Sequence, residues 1–156
     1  LAYADKVSGP WTIWEAGALS IEDSLFPHDS GQINPKIDED DNLFDMGIED
    51  FHPHIASPDV HVDEANQQIC MYFNGMVEDG DQKTRLAVSD DGLNFEPYPA
   101  LFDHYYFRVF EYAGVHWALS WGGYLYRSKR AEGPFERGPA LFEGDPVSPA
   151  GIACGW

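Results

Sequence analysis

The feature that most constrains this fold is a short segment that occurs twice, 40 residues apart. Phe95–Asp103 and Phe135–Glu143 both begin with Phe-Glu and both carry Pro-Ala-Leu-Phe before a final acidic residue. The strand-like stretch before each copy recurs with an offset of 39, as Leu86–Asp90 and Leu125–Lys129, and Leu1–Asp5 opens the chain with a partial third copy. An internal repeat of this length indicates successive copies of one supersecondary unit.

Two predicted hairpins supply the remaining strands of each repeat. Pro58–Asp63 alternates apolar and polar residues, and Ile69–Gly75 is rich in strand formers, so we expect these stretches to pair across a turn. Phe107–Tyr112 and Val115–Trp121 form a second hairpin around the tight turn at Ala113–Gly114. Each full repeat is therefore predicted to hold four antiparallel strands, and no long segment has the 3.6-residue apolar period of a helix.

The sequence predicts an all-β fold in which four-stranded antiparallel units follow one another as the blades of a β-propeller. The full units are Pro58–Phe102 and Phe107–Phe142, and Leu1–Ile21 supplies the outer half of another. We interpret residues 1–156 as a single, partial propeller domain, because propellers close with about four to eight blades. Missing flanking segments, or a second copy in a homodimer, are expected to cover the open blade edges.

Composition excludes two classes of partner. The chain has 9 Lys and Arg against 27 Asp and Glu, a net charge of −18, so its field repels nucleic acid and anionic membrane surfaces. Its longest stretch without a charged residue, Tyr112–Tyr126, contains two glycines and is too short to cross a bilayer. Cys70 and Cys154 belong to no disulfide or zinc pattern. These features leave the cellular compartment open.

One acidic insertion, residues 23–56, interrupts the repeats. Four of its oxygen-bearing residues have the spacing of positions 1, 3, 5 and 12 in a calcium-binding EF-hand loop, namely Asp38, Asp40, Asn42 and Glu49. Position 6 of such a loop needs glycine for a sharp turn, and Leu43 stands there. We therefore predict a solvated acidic loop without metal or other cofactor, and calcium binding is the alternative.

Short motifs at strand openings and turns resemble those of a known group of enzymes. They are Ser57–Asp59 followed by the strand-like Met71–Gly75, the turn Ser89–Phe95, and its variant Gly9–Trp11. On these residues the chain resembles the five-bladed β-propeller glycosidases of the arabinanase, β-xylosidase, levansucrase and invertase type. The resemblance implies a five-bladed ring, of which about two and a half blades are present, and a poly- or oligosaccharide of plant or algal origin as ligand.

The resemblance also implies catalytic residues. Glycoside hydrolysis uses two carboxyl groups, about 5 Å apart in retaining enzymes and about 6.5–9.5 Å apart in inverting ones. Asp59 falls on the aspartate that orients the sugar and tunes the pKa of the acid in this family. The family's general-acid glutamate is replaced by Tyr105, so Asp103 and His104, just upstream, are the candidate proton donors. The strand that carries the family's general base is absent from this sequence.

Four residues are predicted to bind the sugar. Arg108 offers a fork of donors for a hydroxyl or a carboxylate, and a structural ion pair with a neighbouring blade is the alternative. Trp121 offers a ring for stacking on a sugar face, whereas most of the tryptophans are expected to pack between blades. Tyr105, at the position of the missing glutamate, is also assigned to substrate binding. His54, at the end of the acidic insertion, is a candidate ligand for substrate or metal, with a structural role as the alternative.

The sequence thus predicts a glycoside hydrolase-like propeller that acts on or binds a poly- or oligosaccharide. Because at least one catalytic group is missing, we expect the chain alone not to hydrolyse aryl-glycosides. The alternative is a non-catalytic carbohydrate-binding or scaffolding piece of a propeller that another chain completes.

Overall fold

A computed structural model describes residues 1–34 and 52–142 of the chain. The described residues are all-β, as predicted, and neighbouring strands are antiparallel throughout. The strands are β1 (Ala2–Tyr3), β2 (Thr12–Ile13), β3 (Ile55–Asp63), β4 (Gln68–Met76), β5 (Gln82–Ser89), β6 (Glu96–Phe102), β7 (Arg108–Tyr112), β8 (Val115–Leu119), β9 (Tyr124–Ser128) and β10 (Glu136–Ala140). No helix in this part of the chain is long and apolar enough to span a membrane.

The longer strands form two four-stranded sheets with the same connectivity. The first sheet has the order β3-β4-β5-β6 and the second β7-β8-β9-β10, so each strand pairs with the next one in the chain. These sheets coincide, to within three residues at each end, with the predicted units Pro58–Phe102 and Phe107–Phe142. The prediction of four-stranded antiparallel units is confirmed. Strands β1 and β2 pair as a separate two-stranded sheet within Leu1–Ile21.

Strand β8 is shorter than the predicted Val115–Trp121 and ends at Leu119. Gly122 and Gly123 follow with φ of 75° and 72°, a left-handed conformation that glycine adopts without strain. They form a 3-10 turn that reverses the chain into β9. Trp121 therefore lies in a turn, not in a strand.

The two four-stranded sheets face each other across the main core. Its fully buried residues are Cys70, Tyr72, Leu86, Phe102, Phe107, Val109, Ala118 and Tyr126. The Phe102 and Phe107 rings stack with centroids 5.6 Å apart, and Tyr72 Oη donates a hydrogen bond to Ala131 O at 2.8 Å. Large aromatic side chains from both sheets thus pack against one another in this core.

The opposite face of the first sheet is covered by the segment that follows β2. Phe26 packs edge-to-face on Phe73, with ring centroids 5.7 Å apart, in a buried cluster with Met71 and Ala87. A methyl group added to Gly75 would overlap the Phe26 ring, so this approach requires glycine. Strand β4 is therefore covered on both faces, which explains why its sequence is apolar almost throughout and does not alternate.

The strand register shows which residues of the two sheets are equivalent. Asp59 in β3 connects through one residue of β4 to Leu86 in β5. Arg108 in β7 connects in the same way, through β8, to Leu125 in β9. Because Leu86 and Leu125 occupy the same position of the repeat, Asp59 and Arg108 are equivalent residues.

The backbone repeats a bend just before these equivalent residues. Ser57 precedes Asp59 by two positions and has a φ of 53°, and Tyr106 precedes Arg108 by two positions and has a φ of 62°. Positive φ is uncommon outside glycine. The shared conformation shows that the structural repeat extends to the first strand of each sheet, where the two sequences differ.

One face of the second sheet is only partly covered by the described residues. Phe110 and Tyr112 are 48% and 72% exposed, and the half-buried Trp117 lies opposite Phe110. The equivalent face of the first sheet, which carries Cys70 and Tyr72, is buried against the second sheet. The second sheet thus presents an apolar face of the kind that the first sheet buries.

Candidate functional site

The first strands of the two sheets, β3 and β7, are joined at Asp59. Its Oδ2 accepts a hydrogen bond from Val109 N–H at 2.7 Å and lies 2.8 Å from His61 Nε2. Beside this junction, Arg108 Nη1 donates to Ser57 O at 3.2 Å. The Asp59 side chain is only 19% exposed, and a carboxylate with so little water around it needs such partners. Asp59 therefore has a structural role, and its predicted catalytic role stays a prediction.

Five rings form a continuous cluster beside this junction, and we call them the aromatic cluster: His104, Tyr105, Tyr106, Trp121 and Tyr124. Tyr105 and Trp121 stack with centroids 5.5 Å apart and planes 20° apart. Trp121 also lies 6.0 Å from Tyr106, and His104 lies 6.0 Å from Tyr105 and 5.5 Å from Tyr124. All five residues are partly exposed. The structure thus brings together three of the predicted site residues, His104, Tyr105 and Trp121.

Two connections hold the aromatic cluster in place, one between β6 and β7 and the other between β8 and β9. Trp121 N–H donates to Tyr105 O at 3.1 Å, which ties the two connections together. Tyr106 N–H donates to Oδ1 of the buried Asn74 at 3.0 Å, which anchors the first connection to β4. The rings are therefore ordered before any ligand arrives, and such preorganisation lowers the entropic cost of binding.

Two guanidinium groups lie over rings of the aromatic cluster. Arg108 Cζ is 5.2 Å from the centroid of Tyr106, and Arg137 Cζ is 3.9 Å from that of Tyr124. Burial lowers the pKa of His104 and raises the pKa of Tyr105, so both rings are neutral near pH 7. The site therefore consists of neutral rings with a cation at each end.

The structure does not bring Asp103 near Asp59. Asp103 follows β6, whereas Asp59 lies on β3 at the opposite edge of the same sheet. Three interstrand spacings of about 4.8 Å place these strands about 14 Å apart. Asp103 instead lies beside Lys83, whose Nζ donates to Asp103 O at 2.8 Å. Asp103, the proposed acid, and Asp59, the orienting aspartate, thus lie at opposite edges of the first sheet.

The other predicted ligands are His54 and the four calcium candidates. His54 immediately precedes β3, and its Nδ1 lies 2.8 Å from His52 O. The calcium candidates fall outside the described residues; they are Asp38, Asp40, Asn42 and Glu49. Among residues 1–34 and 52–142 there is no group of three or more side chains that could hold a metal ion.

A crevice of about 460 Å³ lies between the sheets at the far end of β3, lined in part by His61, Asp63, Cys70 and His116. Asp63 accepts hydrogen bonds from the Asn66 side chain and backbone, which lower the pKa of its carboxyl group. Burial raises the pKa of the Cys70 thiol. Because Asp63 is engaged in a turn and Cys70 is kept neutral, the aromatic cluster is the stronger candidate site.

Sequence reasoning missed three members of this site: Tyr106, Tyr124 and Arg137. The adjacent aromatic residues at 105–107 were a local signal that could have included Tyr106. Tyr124 and Arg137 belong to β9 and β10, whose pairing has an irregular register between Arg137 and Ala140. No local pattern predicts that irregularity, so their contact could be found only from the structure.

The sheets and the aromatic cluster together define an all-β protein with a partly exposed aromatic site. No family model matches the chain, and no solved structure matches it. Among curated proteins the chain is similar to uncharacterized protein R118 of Acanthamoeba polyphaga mimivirus, with 26% identity over 141 residues. The match covers 88% of this chain and 35% of that protein, so the chain spans about a third of the relative's length.

Proposed function

We propose that the chain is part of a β-propeller and binds an oligosaccharide on the aromatic cluster. The observation that carries the binding proposal is the stacked pair of Tyr105 and Trp121, extended by partly exposed rings on both sides. Rings of this size dominate the energetics of ligand contacts. The C–H face of a sugar is apolar and flat enough to lie on such a ring. A row of rings therefore suits several sugar units in succession.

Sugar hydroxyls also need hydrogen-bond partners, and the aromatic cluster supplies them. The tyrosine hydroxyls donate and accept, the neutral imidazole of His104 does both, and the Trp121 indole donates. Arg108 adds guanidinium N–H groups at one end. Apolar surface with a few polar groups among the rings is the usual composition of a small-molecule site.

The propeller part of the proposal is supported by the way the second sheet repeats the first. Both sheets place a bend before an equivalent residue of their first strand, at Ser57 and Tyr106. A third sheet, docked as the second docks on the first, would cover the apolar face around Phe110. The five-bladed ring that the resemblance implies would take its remaining blades from flanking sequence or from a second copy.

Binding, more than hydrolysis, is the activity that the described residues support. Asp59 is engaged by Val109 and His61, and Asp103 lies at the opposite edge of the sheet. We therefore expect no turnover of aryl-glycosides by this chain. Robust turnover that disappears in Asp59→Ala would reinstate the hydrolase interpretation.

The binding proposal is tested by removing one ring of the stacked pair. We expect Trp121→Ala to weaken binding of the best ligand about tenfold, because the loss of one stacking face costs about 1.4 kcal/mol. Isothermal titration calorimetry against a panel of neutral and acidic oligosaccharides measures the effect. Trp11→Ala is the matched control, since Trp11 is 59% exposed and lies outside the aromatic cluster.

Two results would contradict the binding proposal. One is wild-type protein that binds no oligosaccharide of the panel, and the other is affinity that survives both Trp121→Ala and Tyr105→Ala unchanged. A thermal-shift screen is a fast first step, because a ligand that binds only the folded chain raises its apparent stability.

A further inference from the structure

We propose that the oligosaccharide bound on the aromatic cluster is anionic, with carboxylate or sulfate groups along its length. This inference rests on the proposed function and specifies its ligand class. It starts from the two arginines, Arg108 over Tyr106 and Arg137 over Tyr124, which lie at opposite ends of the row of rings.

Cations are scarce in this protein, which makes these two arginines informative. The chain has 9 Lys and Arg against 27 Asp and Glu, so most basic side chains have carboxylates available as partners. The ion-paired cations of the described part are Lys83 with Asp81 at 3.2 Å, Arg127 with Glu136 at 3.2 Å, and Arg130 with Glu132 at 3.0 Å. The other basic residues of the same part form no ion pair, namely Lys6, Arg85, Arg108, Lys129 and Arg137, and among them only Arg108 and Arg137 lie over rings of the aromatic cluster. Their charges are therefore available to a ligand.

The contacts of both arginines leave hydrogen-bond donors for a ligand. A guanidinium that lies over a ring contacts it with its face and keeps the N–H groups along its edge. Arg108 uses Nη1 alone, which donates to the carbonyl oxygens of Ser57 and Phe107 at 3.2 and 3.4 Å. Arg137 donates to no residue among those described. Paired N–H groups of this kind bind carboxylate and sulfate oxygens in a fork.

The rings between the two arginines are continuous, so a single ligand can meet both cations. Tyr105, Tyr106 and Trp121 contact one another, with centroid distances of 5.9 Å for Tyr105–Tyr106, 5.5 Å for Tyr105–Trp121 and 6.0 Å for Tyr106–Trp121. From Tyr105 the row continues to His104 at 6.0 Å and from His104 to Tyr124 at 5.5 Å. An oligosaccharide on this row would contact Arg108 with one sugar unit and Arg137 with another. A ligand with an anionic group on successive units therefore fits better than one with a single charge.

The net charge of −18 opposes anionic ligands at long range but not at contact. At physiological ionic strength the field of exposed charges is screened beyond about 8 Å. Asp103, next to His104 in the chain, also has Lys83 Nζ as a counter-ion at 3.9 Å. Around His104 the negative charges of Asp103 and Asp81 oppose the positive charges of Arg137 and Lys83. The two arginines therefore supply the positive charge at contact with the ligand, and the measurement is made at constant ionic strength.

The test compares the same sugar chain with and without its charge. Isothermal titration calorimetry at pH 7 and constant ionic strength would measure wild-type binding of an oligogalacturonate and of its fully methyl-esterified form. We expect the acid to bind at least about tenfold more tightly than the ester. A sulfated galacto-oligosaccharide of the same length, as a third arm, distinguishes sulfate from carboxylate as the preferred anion.

Variants identify the residues that are responsible for the preference for the acid over the ester. Arg137→Gln should reduce the preference for the acid over the ester several-fold; Arg137 is exposed and its removal breaks no hydrogen bond to the described residues. Lys129→Gln removes the same charge from an exposed position outside the aromatic cluster and should leave the preference unchanged. Arg108→Lys keeps the charge of Arg108 but loses its fork, so it should also lower the preference.

The outcomes separate this inference from the proposed function. If the acid, the sulfated sugar and the ester bind equally and all lose affinity in Trp121→Ala, the site binds sugars but the inference is wrong. A preference for anions that Lys129→Gln reduces as much as Arg137→Gln would also overturn it. If no ligand binds the wild-type protein, both the function and the inference fail.

Discussion

Single residues in this structure have roles that their type alone does not reveal. Asp59, chosen from the sequence as a catalytic candidate, links the first strands of the two sheets through Val109 N–H and His61. Arg108, at the equivalent position of the next repeat, instead lies over Tyr106. Asp59 and Arg108 occupy equivalent positions of the two sheets but differ in role. Asp59 contributes to packing between the sheets, and Arg108 contributes to the candidate site.

We expect Asp59→Ala to destabilise the fold by about 1–3 kcal/mol. The substitution leaves Val109 N–H without its acceptor in a partly buried junction, and an unmade hydrogen bond there costs that amount. Asp59→Asn keeps an acceptor oxygen and should cost less. Urea unfolding measures the change, with Asp5→Ala as the control at an exposed carboxylate. Equal stability of Asp59→Ala and Asp5→Ala would show that the junction does not depend on Asp59.

At the scale of strands and turns, the sequence predicted well which strands pair with each other. It predicted poorly which loops between strands are in contact. Alternation along Pro58–Asp63 and the turn at Ala113–Gly114 predicted the two hairpins, and the repeated Leu86 and Leu125 stretches added the remaining strands of both sheets. The aromatic cluster was predicted in part, since His104, Tyr105 and Trp121 were selected one by one and Tyr106 and Tyr124 were missed. Their stacking depends on the positive φ of Tyr106 and on the turn at Gly122, and neither conformation is encoded by hydrophobic period.

The close approach of Gly75 in β4 to Phe26 gives an element-scale prediction. We expect Gly75→Ala to destabilise the chain by about 1–3 kcal/mol, because the added methyl overlaps the Phe26 ring and forces the core to shift. In the Phe26→Ala background the same substitution should cost much less. Urea unfolding of the four proteins of this double-mutant cycle gives the coupling energy. Costs that simply add would mean that Phe26 does not cover β4 in solution.

In the molecule as a whole, equivalent faces of the two four-stranded sheets differ in how far they are exposed. The first sheet buries the face of Cys70 and Tyr72, whereas the corresponding face of the second sheet leaves Phe110 and Tyr112 exposed. Contiguous exposed apolar surface commonly marks a docking surface or an aggregation hazard. This asymmetry supports the propeller proposal, in which a further sheet covers that face.

We expect the isolated chain to self-associate as its concentration rises and to bind a hydrophobic dye. The double variant Phe110→Ser/Tyr112→Ser should reduce both effects, because it removes the two most exposed rings of this face. Sedimentation velocity and dye fluorescence measure them, with Val7→Ser as the control at a residue that is 92% exposed elsewhere. A monomer that stays dispersed and binds no dye would show that this face needs no cover.

The difference between Asp59 and Arg108 also restricts how such sheets can be rearranged in a gene. Asp59 accepts an N–H from the sheet that follows it, so its neighbour must offer a donor. Arg108 carries only donors, so it cannot accept an N–H from a neighbour docked in the same way. If the order of the two repeats were exchanged, the Arg108 guanidinium would face a backbone N–H of the neighbouring sheet, and two donors form no hydrogen bond with each other. We therefore expect the permuted chain to have a lower free energy of unfolding than the chain with its original order.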